Sequence, residues 1–212
     1  MSLLPRDSWQ EAWASAVALT VVALQQADPA ERCARSGAAW NAAEQAIEVD
    51  LLARRYRIQL PDYTVVAVDG GEVPQTEKIL ILHYLQTASG APVTGEWIGF
   101  AQVPGGELYL GPFRARSVDR LVRAFAGREA DLLSVGAALG AVPSDLGDVA
   151  ATLTALPRVP LALVLYRGDD EFPPSGNLLF DASVTRYLPL EDMVVLAGMA
   201  VGRLVRPEGN KR

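Results

Sequence analysis

The chain has 212 residues, 50% of them hydrophobic and 21% charged, which excludes a disordered segment and leaves enough apolar surface for a sizeable core without staples. Its formal charge of −6 excludes an extended nucleic-acid-binding face, because phosphate contacts need a basic excess to release counterions. One cysteine, Cys33, and one histidine, His83, exclude an internal disulfide and the usual nitrogen–sulfur zinc sites, and the cysteine count fits a reducing cytoplasm.

"DSWQEAW" opens the first helix with a capping box of Ser8 and Glu11. The helix runs to about Gln26, with Trp9, Ala12, Trp13, Ala16, Val17 and Thr20 on one face. The uncharged run from Ala12 to Leu24 falls short of the roughly 20 apolar residues a bilayer span needs. Asp7 and Glu11 also give it the wrong flank for a signal peptide, so a buried helix and no membrane are expected. Asp28 and Pro29 then start a short second helix in which Cys33 is a small packing residue.

From Ala46 the apolar period changes to two. "IEVDLL", "YRIQL" and "TVVAV" predict three strands of an antiparallel meander, stopped by Asp69, Gly70 and Gly71. "TEKILILHYLQTASG" predicts a helix with Thr76 as N-cap and Gly90 as its stop. His83 lies there among Ile79, Leu82 and Leu85, either as a hydrogen-bonded boundary residue or as a proton shuttle at a pocket wall. "EWIGFAQVPGGELYLGPF" predicts a second hairpin with its turn at Pro104, Gly105 and Gly106. Those glycines could bring backbone close to a ligand but lack the lysine and serine of a P-loop, while Trp97 is core or a stacking platform.

"SVDRLVRAFAGREADLLSVGAALGA" predicts a helix pair broken at Gly127. Val118, Leu121, Val122 and Phe125 face inward, and Arg116, Arg120 and Arg123 form a solvated or anion-binding stripe. "VPLALVLY" is long and apolar enough for a central strand from Leu161 to Tyr166, and "NLLFD" for a shorter one. The last helix carries Pro189 in its first turn and buries Leu190, Met193, Val194, Ala197, Val201 and Leu204, and "RPEGNKR" is a frayed tail. The expected fold is a single α+β domain over residues 1–205. A curved, mainly antiparallel sheet packs with the N- and C-terminal helices, and residues 206–212 form the tail.

The acids of "LYRGDDEFPPSGNLLFDAS" divide by chemistry. Asp169 follows a glycine where short acidic side chains bond their own backbone. Asp170, Glu171 and Asp181 flank strand ends and could hold an oxygen-liganded cation, perform acid–base work, or lock a strand end through buried hydrogen bonds. Glu191 and Asp192 are accounted for by the dipole of the last helix.

"ILILHYLQTASGAPVTGEWIGFAQVPGGELYLGPF", "LPRVPLALVLYRGDDEFPPSGNLLFDAS" and "YLPLEDMVVLAG" resemble a domain-of-unknown-function family of bacteria and archaea, many of them anaerobes. The resemblance covers most of Leu51 to Leu204 and is strongest at His83 to Tyr84, Gly95 to Trp97, Gly105 to Gly106 and Asp169 to Phe172. Some members carry an added four-cysteine iron–sulfur module, which implies a link to anaerobic one-carbon or corrinoid metabolism. This chain has one cysteine and lacks that module, and the family supplies no catalytic residues to carry over.

These readings leave three functions in play, with enzyme activity and cofactor unassigned. The leading one is a cytoplasmic ligand-binding or accessory domain for a small molecule or a protein partner. Its pocket would be bordered by His83, Gly105, Gly106 and the acidic segment, joined by Trp97 or Tyr109. The second is a metal-dependent, hydrolase-like enzyme in which Asp170, Glu171 and Asp181 converge. The third is a structural interaction domain with an exposed apolar patch.

Overall fold

Among the described residues, 6–205 with side chains from Ser15 onward, the computed structural model contains seven α-helices and two antiparallel sheets. The chain begins with α1 (Arg6–Gln25) and α2 (Pro29–Ser36), the latter capped by Asp28, which accepts from the Ala30 amide. The helix α1 already includes Ser8; the side chains of Ser8, Glu11, Trp9, Ala12 and Trp13, and the whole 206–212 tail, lie outside the described residues.

The first sheet is the expected meander with one more strand at its edge: β1 (Ala39–Asn41), β2 (Ala46–Leu51), β3 (Arg54–Gln59) and β4 (Thr64–Ala67), in that order. Alternation does what the sequence period predicts. Ile47, Val49 and Leu51 of β2 and Tyr56 and Ile58 of β3 are buried. On the outer face Glu48 pairs with Arg57 and Asp50 with Arg55, each directly across the ladder.

Helix α3 (Gln75–Thr87) starts before Thr76, with Pro74 at the N-cap and no side-chain cap, so Thr76 is a first-turn residue instead. The predicted second hairpin is also replaced. β5 (Trp97–Gly99) ends in a 3₁₀ turn at Phe100–Gln102, and the chain enters α4 (Gly106–Arg116). Two contacts turn the chain away from a hairpin. The Gln102 side chain accepts from the Gly99 amide at 2.8 Å, and Gly106 sits so tightly on the Phe100 carbonyl that a Cβ there would lie 2.0 Å from its oxygen. Phe100 and Phe113 then stack at 4.1 Å, with Phe180 against both.

Helices α5 (Val118–Phe125) and α6 (Ala130–Gly136) follow, interrupted around Gly127 as expected. β6 (Val142–Ser144), β7 (Val149–Leu156), β8 (Val159–Tyr166) and β9 (Ser175–Asp181) complete the second sheet, whose order β5-β9-β8-β7-β6 makes β8 its centre. Helix α7 (Leu190–Val205) closes the fold and buries Met193, Val194, Ala197, Val201 and Leu204. The α+β class stands, but the antiparallel strands divide between two sheets that meet at the β2–β3 turn, where the Leu52 amide donates to Ala155 O of β7 at 2.8 Å. One buried apolar cluster links α1, both sheets and α7, while Ala150, Ala162 and Val164 form a smaller one on the other face of the second sheet.

Candidate functional site

The residues singled out in the sequence fall in four places. His83 on α3 reaches Asp192 in the first turn of α7, Nδ1 to Oδ2 at 2.7 Å, with the histidine a quarter exposed and the aspartate nearly buried. The hydrogen bond to the Asp192 carboxylate raises the His83 pKa from its usual value, and burial opposes part of that rise. Gly105 lies against Leu190 of the same α7 turn, so His83 and the Gly105–Gly106 bend do flank one helix end. Tyr109 is carried outward on α4 and is well exposed.

Trp97 pairs with Asp181 across β5 and β9 and covers the small cluster of Ala150, Ala162 and Val164. Asp181 is 2% exposed and accepts from the Thr94 and Gly95 amides, the Ser183 amide and both hydroxyls, at 2.6–3.1 Å. Burial pushes its pKa up, but those donors more than offset it and hold the carboxyl below its usual range. This is a strand-end lock. Asp170 and Glu171 are exposed in the loop at the opposite end of β9, roughly 20 Å away along a seven-residue strand. Asp169 makes the expected turn, accepting from the Glu171 and Phe172 amides at 2.9 and 2.7 Å. Among the described residues no group of three or more His, Cys, Asp or Glu side chains is arranged to hold a metal ion.

A separate concavity lies elsewhere. A cleft of about 520 Å³ opens between the β2–β3 turn, the end of β4, α6 and α7. Its apolar walls are Leu52, Ala53, Val68, Val135, Ala138 and Leu139, and its polar groups are Arg54, Arg55, Asp69 and Arg203. Two smaller cavities, one beside Tyr63 and one beside Pro157, likewise contain none of the eight predicted residues in their linings.

The cleft is built on a backbone the sequence does not announce. Leu51 pairs with Arg54, which leaves Leu52 and Ala53 as a two-residue turn with φ of 51° and 62°. Such a turn calls for glycine or asparagine, and each L-residue in this region costs about 1–2 kcal/mol. Arg203 holds the turn in place: its Nη1 donates to Leu51 O and Leu52 O at 3.0 and 2.9 Å. Its Nη2 donates to the Tyr56 hydroxyl and to Glu77 Oε1 at 3.0 and 2.8 Å. Glu77, 7% exposed, also accepts from the Tyr56 hydroxyl at 2.6 Å. Burial, with the Glu77 hydrogen bond, pushes the Tyr56 pKa up to about 12, so the phenol stays a neutral donor. Arg54 grips Asp69 through Nε and Nη2 at 2.9 and 3.0 Å, which keeps the guanidinium charged and lowers the Asp69 pKa.

Sequence reasoning missed Arg54, Tyr56, Glu77 and Arg203. The available signal was an acid in a first helical turn beside an arginine-rich strand, a pattern shared with ordinary solvated faces.

No curated protein and no solved structure matches the chain. A family model described as a domain of unknown function (DUF3786) matches residues 28–203, from the cap of α2 to the arginine that holds the cleft, and the chain therefore belongs to that family.

Proposed function

We propose that this domain is a small-molecule-binding module whose ligand occupies the cleft between the β2–β3 turn and α6–α7. The observation that carries the reading is the Leu52–Ala53 turn: two strained non-glycine residues, over-determined by Arg203 and Ala155, form one wall of a cavity of ligand size. The polar groups beside it are mostly satisfied by one another and include no nucleophile paired with a base, which favours binding over catalysis. Cys33, buried and free, with its thiol pushed up to about 11 chiefly by burial, suits a packing role in a reducing cytoplasm. The resemblance to proteins with iron–sulfur modules adds anaerobic one-carbon or corrinoid metabolism as the setting, so cobalamins belong among the compounds tried.

A thermal-shift screen of metals, cobalamins, nucleotides and organic acids tests this, because a ligand of the folded state raises Tm. Hits should disappear in Ala138→Trp, which fills the mouth from an exposed rim position. Hits that survive that change, or that depend on His83, Asp170 or Glu171, would move the site away from the cleft.

A second reading, docking of a second copy of the chain, is favoured by α1. This helix precedes the residues matched by the family and leaves Leu19 74% and Val22 52% exposed on one face. Light scattering of the wild type against a Leu19→Glu, Val22→Glu double variant tests it; identical masses would remove self-association.

A further inference from the structure

We infer that the cleft takes an uncharged ligand with a compact apolar body and excludes ions of either sign, an inference that rests on the cleft being the binding site. The charge follows from how the polar groups around the cleft are paired. Arg54 grips Asp69 through Nε and Nη2 at 2.9 and 3.0 Å, and its Nη1 reaches Glu77 at 3.5 Å. Arg55 grips Asp50 through Nε and Nη2 at 2.8 and 3.0 Å. Arg203 meets Glu77 at 2.8 Å through Nη2 and spends Nη1 on Leu51 O and Leu52 O. Three guanidinium groups are thus matched by three carboxylates. The pairs with Asp69 and Asp50 are two-pronged, the arrangement that gives an arginine–carboxylate pair its strength and direction.

No charged group lining the cleft is therefore left without an opposite charge. An anion would have to displace Asp69, Asp50 or Glu77 from its arginine. A cation would have to take Asp69 from Arg54 while standing beside three guanidinium groups. Among the described residues no buried side-chain nitrogen or oxygen lacks a hydrogen-bond partner, so none waits for a charged group to satisfy it. An ion that entered without breaking a pair would exchange its water for aliphatic walls, a transfer that costs an ion far more than a neutral group. An uncharged ligand meets neither penalty.

The body of the ligand follows from those walls. Six of the ten lining residues are aliphatic: Leu52, Ala53 and Val68 on the sheet side, Val135, Ala138 and Leu139 on the helix side. Val68 is 52% exposed, and Ala53 and Ala138 are also exposed, so apolar surface here stays wet until something covers it. A volume of about 520 Å³ is that of a small-molecule site.

Calorimetric titration of the full chain at neutral pH with adamantanemethanol, adamantanecarboxylate and adamantanemethylamine tests the inference. The three share one rigid apolar body and hold their polar group directly against it. The alcohol should bind about tenfold tighter than either ion. If the acid or the amine binds as tightly as the alcohol, and Ala138→Trp abolishes that binding, the exclusion of ions is overturned while the cleft stands. If the alcohol binds equally to wild type and Ala138→Trp, the cleft itself is overturned. Absence of binding by the alcohol overturns the inference. Asp69→Asn gives a second measurement, because it keeps an oxygen for the Gly71 amide but leaves three guanidinium groups facing two carboxylates. In that variant the acid should gain about threefold on the alcohol, with the circular dichroism spectrum unchanged. An unchanged ratio would contradict the inference, since charge pairing would then not be what keeps anions out.

Discussion

Asp181 shows how far residue type alone can point to a role. As a buried carboxylate at the end of an apolar strand it was open to catalytic, metal or structural readings, and the five hydrogen bonds it accepts favour the structural one. Asp181→Asn puts an NH₂ group where donors already point, and should cost about 2–3 kcal/mol in urea unfolding. Because the folded pKa is depressed, this contribution is present above the ordinary aspartate value, about 3.9, and is lost as pH falls through the lower folded value. A change within a few tenths of a kcal/mol would mean the donors are equally well served by water. His83 has the opposite sign. Its pKa is raised, so the ion pair with Asp192 stabilises fully below about 6.5 and is lost as pH rises through the folded value. Comparing wild type with His83→Gln across a pH series should show the difference shrinking with rising pH; parallel curves would sink the idea.

At the level of elements, periodicity served well where one face of an element is buried and the other more open. The β2–β4 meander and α7 follow their apolar pattern, while α3, enclosed on nearly all sides, was legible from its long apolar run. Periodicity failed in two instructive places. "VAATLTAL", which forms β7, is rich in alanine and threonine and nearly buried on both faces, so it shows no clean alternation. "VPGGELYL" looked like a hairpin turn because paired glycines usually mark one, yet here Gly106 is required by the approach of the Phe100 carbonyl and Gly105 by a φ of 79° ahead of α4. The β2–β3 turn was invisible for the converse reason, since Leu52 and Ala53 are the wrong residues for it. Ala53→Gly, exposed and at φ 62°, should therefore stabilise the protein by about 0.5–1 kcal/mol, reversing the usual penalty for glycine in an ordered position. A loss of stability in thermal unfolding would show that the turn stores no strain.

For the whole molecule, the parts that converge on the cleft are far apart in the chain. Leu52–Arg55 comes from one sheet, Glu77 from α3, Val135–Leu139 from α6 and the turn after it, and Arg203 from the last turn of α7. Apart from Ala53–Arg55, which fall between two predicted strands, each lies in a segment that the sequence assigns to a strand or helix, and none was singled out there. What brings them together is the meeting of the two sheets at Leu52 and the reach of Arg203 across to that turn, neither of which has a local signature. The fold class was thus legible, and the candidate cleft was not. The most direct measurement is mapping of amide chemical shifts on ¹⁵N-labelled protein during titration with each compound that raises Tm in the thermal-shift screen. Progressive shifts at Leu52–Arg55, Val68–Asp69 and Val135–Leu139 are expected. Shifts confined to the His83–Asp192 end of α7, or to the Asp169–Phe172 loop, would contradict the account.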